Sequence, residues 1–249
     1  MENLPTEIVV EIAARLAESS DFAVAEVGSL RATCKKMRQV YRMPEVERRL
    51  AVHPLLPIRS WDLYYDNSFC QNLIISLSKV GNPVACFFAG MRMVLVEARG
   101  DLRPSLDMLE CAAKAGHQVA MYVLAVYKYR PNSGAEEDAS AMELFRKIEG
   151  DDAGAGAPAT WANTACARFR QQALLVSEWP RRVPLQNVVP LTPRRVPLQK
   201  PVSRVHSDHR CASRPMCGSD AAWEGRQLFC SEECRIRSES AAYFNSVWP

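Results

Sequence analysis

Four cysteines near the C-terminus, Cys211, Cys217, Cys230 and Cys234, carry the clearest chemistry in this chain. Five residues separate the first two, twelve follow Cys217, and three separate Cys230 from Cys234. Tetrahedral zinc favours thiolate ligands, and four of them close its coordination shell. Such an ion is structural: with no position left for water or substrate, it folds a segment too short to fold alone. His209 is the substitute ligand if Cys211 stands too far out. Of nine cysteines in all, the remaining five (Cys34, Cys70, Cys86, Cys111, Cys166) are scattered singly in apolar helical contexts. An odd count, one clustered quartet and no visible secretory leader argue for reducing conditions and a metal site, not a disulfide framework. The expected compartment is nucleus or cytoplasm.

The elements that hold these thiols follow from their neighbours. Ser231 is placed to cap a helix whose first turn carries Glu232 and Glu233, which puts Cys234 in the opening turn beside Cys230. Ile236, Tyr243, Phe244 and Val247 give that helix an apolar side. Upstream, six prolines (180, 184, 190, 193, 197, 201) and the hexamer Arg-Arg-Val-Pro-Leu-Gln, present at 181–186 and again at 194–199, exclude a helix or central strand. A helix is expected over Ala162–Val176, a Gly/Ala/Asp linker over Gly150–Thr160 and an exposed loop over 130–138.

The middle of the chain repeats. Gly81-Asn82-Pro83-Val84-Ala85-Cys86-Phe87-Phe88 aligns with Gly116-His117-Gln118-Val119-Ala120-Met121-Tyr122-Val123 at an offset of 35 residues, close to the length of a two-helix repeat. Leu106–Ala115 reads as the helix before the second copy, ended by Gly116 in a left-handed conformation. Ala112, Ala113, Ala120 and Ala125 let paired helices approach closely. With about two copies, the array must bury its faces on something further, either the connector aromatics (Trp61, Tyr64, Tyr65) or the stretch from Trp161 to Trp179. A simple helical bundle is the alternative. His117 reads as a turn or packing residue.

The first fifty residues hold two amphipathic patterns. Leu4, Ile8, Ile12 and Leu16 recur every four residues with Val9 and Ala13 beside them, and Val27, Leu30, Cys34, Met37 and Tyr41 alternate three and four apart. Pro5 suits a first helical turn, and Glu7 suits the positive end of the dipole. Two short helices cannot bury both stripes between themselves, so apolar surface remains for a partner.

Three resemblances organise these observations. Leu4-Pro5-Thr6-Glu7-Ile8, then Ser29-Leu30-Arg31-Ala32-Thr33-Cys34-Lys35-Lys36-Met37-Arg38 and the downstream Pro44, resemble an F-box, the helical module by which substrate receptors dock on the Skp1 adaptor of a cullin-RING ubiquitin ligase. The Ala-Ala-x-x-Gly-His turn between helices resembles Sel1-like repeats, relatives of tetratricopeptide repeats. Phe229-Cys230-Ser231-Glu232-Glu233-Cys234 resembles the ending of treble-clef zinc fingers, including MYND-like fingers that follow F-boxes in plant proteins. The five-residue gap between Cys211 and Cys217 and the shortage of cysteines for a second zinc depart from a full MYND finger. The resemblance implies a substrate receptor of an SCF-type ligase. Leu4, Pro5, Ile8, Ile12, Leu30, Cys34 and Met37 would meet a Skp1-like adaptor with its cullin, and the repeats or the finger would hold an unknown target protein.

The expected fold is therefore all-α: a three-helix F-box over 1–52, helical repeats over 53–149, a partly helical then Pro-rich linker over 150–205, and a small zinc-stabilised finger over 206–249. Against 31 basic residues stand 28 acidic ones, a net charge of +3. That balance, and the lack of a basic stripe interleaved with aromatics, speak against nucleic acid. No apolar run approaches membrane-spanning length. No nucleophile–base set, phosphate-binding glycine loop or paired carboxylates appear at usable spacing, so no enzyme is expected. The competing reading is a zinc-finger and helical-repeat scaffold, or a chromatin-associated interaction module, that recruits no ligase.

Overall fold

The computed structural model describes residues 4–52, 67–97, 103–129, 134–150, 162–177, 229 and 231–247. Of these, 84% are helical and none lies in a strand, in line with the expected all-α class. Short helices open the chain: α1 (Thr6–Ser19), α2 (Ala23–Thr33), α3 (Lys35–Val40) and α4 (Pro44–Arg49). Two hairpins follow, α5 (Asn67–Lys79) with α6 (Pro83–Arg92), and α7 (Arg103–Lys114) with α8 (Gln118–Lys128). A π-helical stretch, Met93–Glu97, extends α6. Three longer helices complete the described chain: α9 (Ala135–Glu149), α10 (Thr164–Ser177) and α11 (Glu232–Val247).

Two expectations about boundaries are corrected. The second N-terminal pattern does not run as one helix, because Cys34 is extended (φ −157°, ψ 165°) and caps α3, its Sγ accepting from the Met37 N–H at 3.4 Å. The N-terminal unit thus has four helices, not three. The loop expected to reach residue 138 gives way at Ala135 to α9, whose first turn holds Glu136, Glu137 and Asp138 at the positive end of the dipole. Residues 130–133 lie outside the described residues, as do the connector aromatics, the Gly/Ala/Asp linker after Gly150 and the proline-rich duplication.

The 35-residue offset is visible in the backbone. Gly81 and Gly116 both take positive φ, 81° and 91°, which a side chain would strain. The next residue in each copy caps the next helix through its side chain. Asn82 Oδ1 accepts from the Ala85 N–H, and His117 Nδ1 accepts from the Ala120 N–H, both at 3.1 Å. Behind each cap the helix buries an unbroken run, Ala85–Phe88 in α6 and Ala120–Tyr127 in α8. Between hairpins the backbones nearly touch: a Cβ on Gly90 would lie 2.9 Å from Leu109 Cγ and 3.1 Å from the Ser105 carbonyl oxygen.

The second copy differs from the first in using an imidazole, stacked on Phe87 with ring centroids 4.5 Å apart. Burial lowers the His117 pKa from 6.5 to about 4, and the cap itself needs an unprotonated Nδ1. The unfolded chain takes up this proton near pH 6.5 and the folded chain only near 4. Stability contributed here is full above the first value and lost as pH falls through the second, on the order of 2–3 kcal/mol. Replacing His117 with Asn, the residue its counterpart uses, keeps a cap and removes the proton. Urea denaturation at steps between pH 7 and 4 is expected to show a loss for the natural chain that is smaller for His117→Asn by that amount.

Candidate partner-docking site

Helix α1 presents its two faces in a sense that periodicity alone leaves open. Its small residues point inward: Val9, Ala13, Ala14 and Ala17 are buried against the rest of the N-terminal unit, where short side chains let α4 come close. Its large ones point outward: Ile8 is 49% exposed, Ile12 55% and Leu16 37%, and Leu4, just ahead of the helix, is 41% exposed. Phe22, in the turn after α1, is 67% exposed. With about half of each side chain already covered, sealing the rest is worth about 1 kcal/mol apiece, and a row of them marks a partner surface more readily than scattered exposed residues do. Pro5 is exposed just ahead of α1, as its N-cap, and Cys34 is exposed at the α2–α3 junction. Leu30 and Met37 are half-buried, packed against the core. Leu16 and Phe22 were not among the contacts expected from sequence. Period four already included Leu16, whereas nothing in the pattern marked Phe22.

This unit is fastened to the repeats through Asn82. The last carbonyls of a helix lack intrahelical partners. At the end of α4 they are met by one buried carboxamide: Asn82 Nδ2 donates to the carbonyl oxygens of Glu47 (3.0 Å), Arg48 (3.2 Å) and Leu50 (2.8 Å). Arg48 Nε donates in return to the Val80 carbonyl at 3.1 Å. The Ala51 N–H donates to the Ala17 carbonyl at 2.8 Å, which closes the unit on the end of α1.

At the other end, α11 packs on α10 and α8. Tyr243 and Phe244 are fully buried, in edge-on contact with Tyr122 and Tyr127 at centroid distances of 5.4–5.9 Å. Buried Glu239 accepts from Tyr122 Oη at 2.6 Å and from Arg170 Nη1 at 2.8 Å. Burial raises its pKa, and the Arg170 guanidinium works against that rise. Buried Arg235 lies 3.8 Å from Glu149 and 3.9 Å from Glu232, and its carbonyl accepts from Asn163. Glu149 also accepts from the Ala165 and Cys166 N–H groups at the start of α10. Arg146 grips Glu232 with two bonds of 2.9 and 2.8 Å.

Of the expected zinc ligands, Cys234 is described. It is buried in the first turn of α11, and its N–H donates to the capping Ser231 Oγ at 3.2 Å, as the local sequence predicts. Cys211, Cys217, Cys230 and the substitute His209 lie outside the described residues. Among the described residues no group of three or more His, Cys, Asp or Glu side chains is arranged to hold a metal ion. None of their helices alone is long and apolar enough to cross a membrane. Compared with protein-family models, curated proteins and solved structures, the chain shows no match to any.

Asn82→Asp separates the two roles of that side chain, because it retains the cap oxygen and loses the donors to α4. Chemical denaturation is expected to show a loss of about 2–3 kcal/mol, the cost of leaving buried carbonyls unpaired beside a new charge.

Proposed function

We propose that this chain is a substrate-recognition subunit of an SCF-type ubiquitin ligase, acting in the nucleus or cytoplasm. Its N-terminal helices dock a Skp1-like adaptor, which brings the cullin, and the repeats or the cysteine-rich end hold a target protein. The observation that carries this reading is the outward row Ile8, Ile12 and Leu16, with Leu4 just ahead of it, on a helix whose small residues already fill its own core. Exposed Cys34 would add to that contact, with half-buried Leu30 and Met37 contributing what they leave uncovered. The Asn82 clamp suits such a bridge, since a receptor must transmit position from adaptor to target. No bond is made or broken by the chain itself. Its contribution is to raise the effective concentration of the target's lysines near a loaded ubiquitin.

The same reading assigns one structural zinc ion to Cys234 together with Cys211, Cys217 and Cys230. It would supply cross-linking and no reaction. The buried position of Cys234 at a capped helix start supports it, because a metal bound there would brace the α11 anchorage.

Two measurements follow. Purified adaptor is expected to bind the full chain, and Ile8→Asp with Ile12→Asp is expected to abolish that binding with stability changed by no more than about 0.5 kcal/mol, since both side chains are exposed. Failure of the unmodified chain to bind adaptor would favour the scaffold reading. Metal analysis of the full chain is expected to find stoichiometric zinc. Cys234→Ser is expected to lose it, and a chelator is expected to lower the melting temperature of the natural chain but not of the variant. A zinc-free natural chain with the same melting temperature sinks the metal assignment.

A further inference from the structure

The sulfurs of Cys86 on α6 and Cys111 on α7 stand 3.6 Å apart. The two helices meet at Gly90 with almost no space between backbones, so a modest inward shift of both side chains reaches the ~2.05 Å of a disulfide. The thiols differ in access. Cys86 is buried, with its Sγ directed at the Ser78 carbonyl at 3.5 Å. Cys111 is half-buried, and the residue over it is Gly81, where a Cβ would sit 3.8 Å from its sulfur. The positive φ of Gly81 keeps that position free of a side chain.

We propose that Cys86 and Cys111 form a reversible redox-modification site that takes a hydroperoxide as oxidant and closes to an intramolecular disulfide. Cys111 is the thiol that reagent reaches. Its thiolate sulfur attacks one peroxide oxygen, the O–O bond breaks, Cys111 becomes a sulfenic acid and hydroxide leaves. The Cys86 sulfur then displaces the sulfenic hydroxyl, which departs as water with the Cys86 proton as the S–S bond forms. Burial pushes the Cys86 thiol up to about 12, which agrees with its role as the resolving partner and not the first attacker. A small dithiol returns the pair to the reduced state by exchange. This site is independent of the docking face and of the C-terminal quartet.

The test is peptide mapping of the full, reduced chain after hydrogen peroxide and thiol blocking. A cross-linked peptide joining Cys86 to Cys111, two hydrogens lighter than its parts and lost on dithiothreitol treatment, is the expected result. Exposed Cys34 serves as the reference for dose. In Cys86→Ser, dimedone is expected to label Cys111, because the sulfenic acid has lost its partner. Recovery of Cys86 and Cys111 as free thiols at doses that oxidise Cys34 overturns the proposal, as does pairing of either with another cysteine. Absence of dimedone label on Cys111 in a variant with unchanged circular dichroism overturns the order of attack.

Discussion

One side-chain amide joins the N-terminal unit to the repeats. Asn82 gives its oxygen to the start of α6 and its hydrogens to the end of α4. A helix C-terminus carries partial negative charge and unpaired carbonyls, and burying one without donors is costly. Asn82 supplies those donors where the N-terminal unit leans on the repeats, and Arg48 adds a bond to the Val80 carbonyl. The outward row on α1 is, in turn, held at a fixed attitude relative to α5–α8. In the second copy the same position is His117, which caps α8 and reaches back to α6 by ring stacking on Phe87, where Asn82 reaches back to α4 by hydrogen bonds. A repeated turn has thus been used once as a joint and once as a packing element.

The far end is held by a different kind of contact. Helix α11 contributes Arg235 and Glu239 to the interior alongside Tyr243 and Phe244. Charges removed from water lose several kcal/mol of solvation, which their partners return only when the geometry is good. Apolar contacts tolerate sliding along a helix groove, whereas Glu239 meets Tyr122 and Arg170, and Arg235 meets Glu149 and Asn163, in one register alone. The aromatic cluster gives α11 its adhesion, and the charged pairs define where it stops.

How much of this was readable in the sequence depended on whether local chemistry was enough. The Gly81-Asn82 and Gly116-His117 turns, the capping of α11 by Ser231 and the all-helical class follow from residues close in the chain, and the backbone shows them. The direction in which α1 turns its stripe does not. Val9, Ala13 and Ala17 share the four-residue spacing of Leu4, Ile8 and Ile12, and which set faces the core is decided by how near α4 approaches. The break at Cys34 was hidden for a related reason: three-and-four spacing continues through an extended residue as though the helix did. Asn82 as a joint, the meeting of Cys86 with Cys111 and the docking of α11 on the repeats are contacts between distant residues, which no periodicity encodes. The zinc ligands other than Cys234 lie outside the described residues, so the quartet rests on its spacing.

Helices α10 and α11 pack on each other although Ser177 ends the one and Glu232 opens the other, far apart in the chain. A single protease cut between these two helices would therefore yield two polypeptides that co-migrate under native conditions, held by the Tyr122–Glu239–Arg170 contacts, and separate only in denaturant.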